Sequence, residues 1–521
     1  MPLRWFLPTL SPRLILIERR KTVSSASITR AGFNGATENA VVASKPRKYE
    51  AILVLLFILT IPLSNPWVRG DGVGYYAFAR ALLIEHRLDF QKDWLAANSS
   101  FRVGRVDSQD HILPTEYTST KHLDNHFAIG PAILWLPFLL VAQLVVQANH
   151  ILGGHVPADG FSPPYTLAMC FGTACYGFLA LWLSFRLGRK YLAEKWVFLA
   201  IIGIWFASSL PVYMYFNPSW SHTHSAFVVA LFLWYWDRTR PDRTWWQWII
   251  LGAIAGLMIN VYYVNAVLLL VPLIECCREY VNAIAAKQPE SVLRLFVLNL
   301  LFAIVTILAF LPTLITKKIL YGSFFDMGYG EQWFLSSPAI LKVCFSAEHG
   351  LFSWTPIILI AVAGLFFLRR RDSLLGYSCI AVFIVYLYAI GSYQDWAGIS
   401  SFGSRFFVSL TPIFILGLAA SFERLDQTWR ERRATILAVS VTAVLIIWNL
   451  GLVFQWGVHL IPARGAISWR DMAYNQVAVV PVEATRTVKS YLTHRTQLMR
   501  HIEQTDMQSK SQDAGSSNPT Q

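Results

Sequence analysis

Charge is scarce in this 521-residue chain: 14% of its residues are Asp, Glu, Lys or Arg against 55% that are hydrophobic, so most of its length cannot be a water-soluble globule. Cysteine is scarce too. Cys170, Cys175, Cys276, Cys277 and Cys379 fall within apolar segments and Cys344 in an expected loop. No two have metal-site or redox spacing, which argues against a zinc centre and a disulfide framework. No internal repeat is visible, and few charges fall mid-span where an ion-coupled carrier would bind its ion, so a transporter is disfavoured. A signal-peptide core is also missing, because the apolar stretch near residues 5–17 is broken by Pro8, Pro12 and Arg13. The first span should therefore stay as an anchor.

What the chain does have is long apolar runs rich in Phe, Tyr and Trp, the mark of an all-α polytopic membrane protein. Its net charge of +13 comes from short basic clusters between those runs. They read as topology signals rather than as a nucleic-acid surface, so membrane lipids are expected partners and nucleic acid is not. The pattern predicts about eleven transmembrane helices in an inner (cytoplasmic) membrane. Residues 1–49 form a basic cytoplasmic tail, residues 50–460 the transmembrane domain, and residues 461–521 a C-terminal tail, disordered beyond about residue 501. Residues 246–277 fit one tilted span or two short helices turning near Asn260, and the charge rule favours two.

A long polar first loop, residues 67–148, is expected outside, with juxtamembrane helices. Its apolar segment 126–146 could cross, but crossing would put Arg186, Arg189, Lys190 and Lys195 outside. A helix along the outer face, or a re-entrant one, keeps every later basic cluster inside.

The first loop opens with Gly70-Asp71-Gly72-Val73-Gly74-Tyr75-Tyr76. Tyr76 and Arg80 recur at helical spacing, predicting a short helix over residues 73–85 with Asp71 near its N-terminus. An Asp there can simply cap the helix; it can also stand as a carboxylate at the membrane face, where a base could take a proton. Other polar groups gather on the same expected side: Asp89, Lys121, His126, His222, His224, Glu331, Asp395 and Arg405. Lys121 could contact phosphate or be a solvated charge, and Arg405 could grip phosphate oxygens or snorkel at the interface. Asp395 could be a plain loop residue or part of a sugar site beside Trp396. His222 and His224, at i and i+2, would not share a helical face, which weakens a metal pair.

Taken together, several stretches resemble the bacterial GT-C membrane glycosyltransferases related to protein O-mannosyltransferases and to the aminoarabinose and Rgt-type lipopolysaccharide sugar transferases. They are Gly70-Asp71-Gly72 with Tyr75-Tyr76 and Arg80-Ala81-Leu82-Leu83, Asn125-His126-Phe127 with Gly130-Pro131-Ala132, Pro218-Ser219-Trp220-Ser221-His222, Gly350-Leu351-Phe352-Ser353-Trp354-Thr355-Pro356, and Ser401-Phe402-Gly403-Ser404-Arg405. The resemblance covers roughly residues 50–460. It implies a GT-C-like fold, a polyprenyl-phosphate sugar donor, a glycan, lipid or protein acceptor, and an inverting single displacement at the extracytoplasmic face. Asp71 matches the acidic residue that the family uses as catalytic base or acceptor-orienting group. Tyr76, Arg80, Asp89, Lys121, His126, His222, Asp395 and Arg405 are the candidate substrate-binding residues. Many relatives carry a second acid beside the first; here Gly72 takes that place, which argues against a divalent metal, and no other cofactor is indicated. The rival expectation is a lipid-linked sugar flippase or transporter.

Overall fold

The computed structural model describes residues 48–516 apart from Pro241, Glu331, Ala463 and Arg464, with side chains through residue 508. The expected basic tail up to residue 47 and Glu331 lie outside the described residues. Helices account for the fold, and the described residues contain only isolated β-bridges. The main helices are α1 (Lys48–Thr60), α2 (Asp71–Arg80), α3 (Gly130–Ile151), α4 (Pro163–Gly188), α5 (Glu194–Phe206), α6 (His222–Thr239), α7 (Trp245–Val261), α8 (Leu270–Ala285), α9 (Pro289–Tyr321), α10 (Ile357–Leu368), α11 (Ser373–Ser392), α12 (Thr411–Thr428), α13 (Glu431–Gly457), α14 (Val480–Thr493) and α15 (Arg495–Ser516).

Six helical stretches among the described residues are long and apolar enough to cross a bilayer: α3, α4, α9, α11, α13, and α12 with the 3₁₀ turn before it. Two shorter apolar helices, α7 and α10, accompany them. The chain is thus a multi-pass, all-α membrane protein, although the expected count of about eleven spans is not reached by this measure. α1 has 13 residues, about 20 Å at 1.5 Å per residue, and needs the following 3₁₀ turn to approach bilayer thickness.

With no hydrophobic drive between helices in lipid, close packing depends on small residues. Gly252 and Gly256 let α7 lie against α9, where an added Cβ at Gly256 would come within 2.5 Å of the Thr306 carbonyl. Gly364 and Gly417 do the same for α10 and α12; a Cβ on Gly417 would stand 2.1 Å from the Ala361 oxygen. Local signals set the helix starts. Thr244 and Gln247 form a capping box at α7, and the Asp372 carboxylate accepts the Leu375 N–H at α11.

The basic clusters gather at one end of the bundle. Glu50 meets Arg189 at 3.2 Å and Arg186 at 3.7 Å, Lys190 meets Asp237 at 2.8 Å, Arg240 meets Asp372 at 3.2 Å, and Arg371 meets Glu423 at 2.9 Å. Such pairs add little stability when partly exposed, but they fix which helix ends lie together. We call this end the Lys48 face and the opposite end the Asp71 face. Arg243 reaches Glu275 at 3.3 Å, so α7 and α8 form a hairpin that returns to the Lys48 face. The chain breaks between them at Tyr262, followed by a 3₁₀ turn, Tyr263–Leu269.

The segment expected to lie along the outer face becomes α3, a 22-residue helix of span length. The segments flanking it both return to α2: Phe127 packs where a Cβ on Gly74 would sit, and the Gly160 carbonyl accepts the Tyr76 hydroxyl at 2.6 Å. Arg186 and Arg189 stay on the Lys48 face, as the charge rule requires.

One expectation needs correction. Cys344 is not in a loop but buried in a short helix, Ile340–Phe345. The described part of the stretch beyond residue 501 continues α15 on the Asp71 face, with Glu503 8% exposed. Its composition is that of a solvated tail, but docking supplies partners that composition cannot reveal.

Candidate active site

Asp71 is the first residue of α2, not its cap. The cap position belongs to Gly70, at φ 55° and ψ −137°, a backbone region that only glycine enters without strain, and no side-chain cap bond forms there. The Asp71 carboxylate turns instead to Arg405, whose Nη1 donates to Oδ2 at 2.7 Å. Oδ1 has no protein partner among the described residues, and the side chain keeps 33% of its exposure. Arg405 arrives from a distant stretch, at the start of the 3₁₀ turn Arg405–Leu410 after the loop 393–404. Its guanidinium lies over the Trp220 ring at 4.7 Å, a cation–π contact that fixes the plane of the fork. Nε of Arg405 is buried and has no acceptor among the described residues.

Aromatic rings enclose this pair. His222, the first residue of α6, meets Tyr213 at 4.7 Å, Tyr262 at 5.7 Å and Trp220 at 6.1 Å, and its Nδ1 is buried without a partner among the described residues. Tyr75 sits between Asp71 and Ser221; burial, reinforced by the Asp71 charge, pushes its phenol upward and keeps it a neutral donor. His349, in the loop before Leu351–Trp354, bonds the Ala397 carbonyl through Nδ1 at 2.7 Å. Burial holds its imidazole down at about 4, so it is neutral at physiological pH.

The expected site residues divide. Asp71, Arg405 and His222 come together. His126 meets Phe127 at 4.3 Å and Tyr329 at 4.8 Å with its ring tilted to both, and Phe127 in turn meets Tyr75 at 4.8 Å, which places His126 at the edge of the same aromatic wall. Asp395 lies in the turn whose Ala397 holds His349 and whose Gly398 abuts Arg405. Lys121, at φ 64°, and Asp89 line a separate groove of about 910 Å³, apolar along Ile129, Ile133, Ile315 and Ile319. Asp89 itself pairs with Arg87 at 3.0 Å and accepts the Gln91 N–H.

Tyr76 and Arg80, expected among the substrate-binding residues, are both engaged by the protein itself. Both are buried at 2% exposure. The Arg80 fork holds both oxygens of Asp93 at 2.7 Å and Glu85 at 2.9 Å. Three of the five guanidinium N–H donors are thus taken by carboxylates of the first loop itself.

Sequence reasoning named no site role for Tyr75, Tyr213 or Tyr262. It also passed over Lys317, buried and donating to the Asn125 and Phe127 carbonyls at 3.2 and 3.4 Å, which ties the first loop to α9. No local signal separates Tyr75 from Tyr76; only their 100° offset on α2 does.

Among the described residues no three His, Cys, Asp or Glu side chains converge as a metal site. Gly72 has its own steric cause: a Cβ there would stand 1.9 Å from Ser219 Oγ and 2.5 Å from Ser219 Cβ. Gly72→Ala is therefore expected to destabilise the protein by about 1–3 kcal/mol, as overpacking does, and Ser219→Gly in the same chain should restore most of the loss. Thermal unfolding in detergent of the two variants checks this; an unshifted Gly72→Ala would show that the helix start has room to move.

No family model matches the sequence, and no curated protein does. Among solved structures, the chain is similar to the crystal structure of ArnT from Cupriavidus metallidurans bound to undecaprenyl phosphate, at 13% identity over 80% of this chain and 73% of that one, with a TM-score of 0.44. The apo state of the same protein matches at 12% identity, with the same coverage and TM-score.

Proposed function

We propose that this chain is a membrane glycosyltransferase that moves a sugar from a polyprenyl-phosphate donor to an acceptor hydroxyl, by a single inverting displacement at the extracytoplasmic face of the inner membrane. One observation carries the reading. Arg405 uses Nη1 on Asp71 and keeps a buried Nε–H without an acceptor among the described residues. An unsatisfied buried donor costs about 1–3 kcal/mol, more when charged, so the site suits an anion arriving beside the carboxylate.

In the proposed step, Asp71 Oδ1 accepts the proton of the acceptor hydroxyl. The acceptor oxygen forms its bond to the anomeric carbon as the bond from that carbon to the phosphate oxygen breaks, and the electron pair leaves with polyprenyl phosphate. Arg405 stabilises the charge that grows on the leaving phosphate. His222, Tyr213, Trp220 and Tyr262 frame the sugar with ring faces and a neutral imidazole. The groove bearing Lys121 and Asp89 offers an apolar bed with a charged rim for a lipid chain, while His126 and Asp395 stand at the margins. The acceptor is a glycan, a lipid or a protein.

The test uses purified protein with radiolabelled polyprenyl-phosphate sugars, scored for free polyprenyl phosphate. Release that needs an added acceptor supports the reading. Movement of an intact lipid-linked sugar across reconstituted vesicles, with no new glycosidic bond, would overturn it in favour of transport.

A further inference from the structure

The link from α1 to α2, residues 61–70, is held from outside by the C-terminal helices. At its start, Tyr491 donates to the Leu63 carbonyl at 2.8 Å, and Arg495 Nη2 donates to the Pro62 carbonyl at 2.5 Å. At its end, next to Asp71, two carboxylates of α15 take over. Asp506 accepts from Arg69 on one side and from His459 Nε2, at 2.8 Å, on the other. Glu503 Oε1 accepts the Ser100 N–H at 2.6 Å and Asn98 Nδ2 at 2.9 Å, and the Asn98 side-chain oxygen in turn receives the Gly70 N–H at 3.3 Å.

These contacts reach the site through one residue each. The Arg69 carbonyl accepts the Trp220 indole N–H at 3.0 Å, and Trp220 lies under Arg405. Gly70 is the left-handed pivot from which α2 starts. Asp71 is thus flanked on its N-terminal side by two backbone positions whose places are set by Asp506 and Glu503. α15 offers little apolar surface for this; Met499 is its one buried hydrophobic among the described side chains. The register of the contact therefore rests on the two carboxylates. A single such bond adds too little to hold the bundle together but enough to fix one carboxylate.

We propose that α15 is a positioning strap: Asp506 and Glu503 act through Arg69, Asn98 and Gly70 to hold the Asp71 carboxylate against Arg405. The inference rests on the catalytic reading of Asp71, and on the contacts for its structural part. Neither residue touches the reacting atoms. A shift of about 1 Å in a reacting group can cost about 100-fold in rate, so losing one of two supports should be felt as turnover, not as affinity.

The experiment compares full-length wild type with Asp506→Asn, Glu503→Gln and Asp506→Glu. In the transfer assay, Asp506→Asn and Glu503→Gln are expected to lower kcat about tenfold, with KM for the lipid donor within about twofold. Asp506→Glu, which keeps the charge, should hold at least half of wild-type kcat. By hydrogen–deuterium exchange, peptides covering residues 66–78 should exchange faster in Asp506→Asn while peptides from α10 and α12 do not change. Unaltered exchange in residues 66–78 would overturn the strap whatever the chemistry proves to be. A rise in KM at constant kcat would overturn it as well. Asp71→Asn in the same assay separates the two failures: an active Asp71→Asn sinks the catalytic reading, while an inactive one beside an unaltered Asp506→Asn sinks the strap alone.

Discussion

Asp71→Asn is expected to lower sugar transfer about 1,000-fold, the middle of the range for removing a positioned general base, while the protein stays folded. The substitution preserves shape, and the Asn oxygen can still accept the Arg405 Nη1–H that now lies 2.7 Å from Oδ2. What it removes is the second acceptor oxygen and the charge that would draw a proton from the acceptor hydroxyl. The cost in stability is limited, because the Asp71 side chain keeps 33% exposure and water can answer part of the unpaired charge on Arg405. The measurement is release of polyprenyl phosphate per folded molecule, with folding followed by size exclusion and thermal unfolding. Retained turnover would remove Asp71 from the base role and leave the pair as a structural tie.

Arg80→Ala should do the opposite: unfold the first loop without touching the chemistry directly. Arg80 and Asp93 are 2% and 3% exposed, and the fork grips both carboxylate oxygens at 2.7 Å. The Arg80 stem also fills the space beside Gly160, and its guanidinium lies over Phe161 at 4.8 Å, so it pins the loop after α3 to α2. Breaking such a pair strands a buried carboxylate and costs about 3–5 kcal/mol, a large part of the stability of an ordinary domain. Replacing both members, Arg80→Met with Asp93→Leu, should recover most of it, since a buried ion pair contributes little over a well-packed apolar one. Thermal unfolding of the single and double variants reads this. If the double variant folds and transfers sugar at near wild-type rate, Arg80 has no part in substrate binding. If it folds but its KM for the donor rises tenfold, the substrate role expected from the sequence returns.

These two residues mark how far sequence reasoning reaches. Both stand on one short helix, nine positions apart, and both look like charges at a membrane face. Asp71 stands out because glycines isolate it and the surrounding motif is distinctive. Arg80 is harder to read, because a lone Arg at the end of an amphipathic stretch looks the same whether it meets a lipid phosphate or a buried Asp93. The partner lies 13 residues away, past the π-helical turn Ala81–Glu85 and on the next short helix, Gln91–Ala96, and nothing in composition marks it. Arg405 was found as a candidate, but its meeting with Asp71 spans 334 positions.

The sequence by itself determined the class of molecule and the ends of the bundle. Apolar length dictates spans because backbone polar groups must be satisfied inside a bilayer. The basic clusters sort onto one face because each follows a span; Glu50 with Arg189 and Arg243 with Glu275 bear this out in contact. Only the tertiary structure decided which polar groups face each other. It turned Asp71 away from its own helix end toward Arg405, closed Arg80 into a clamp, and folded a solvated-looking tail back so that Asp506 meets Arg69. The physical reason is range. Periodicity and hydropathy act over a turn or a span, whereas a carboxylate's fate depends on the one cation that packing brings within about 4 Å, where the interaction becomes strong.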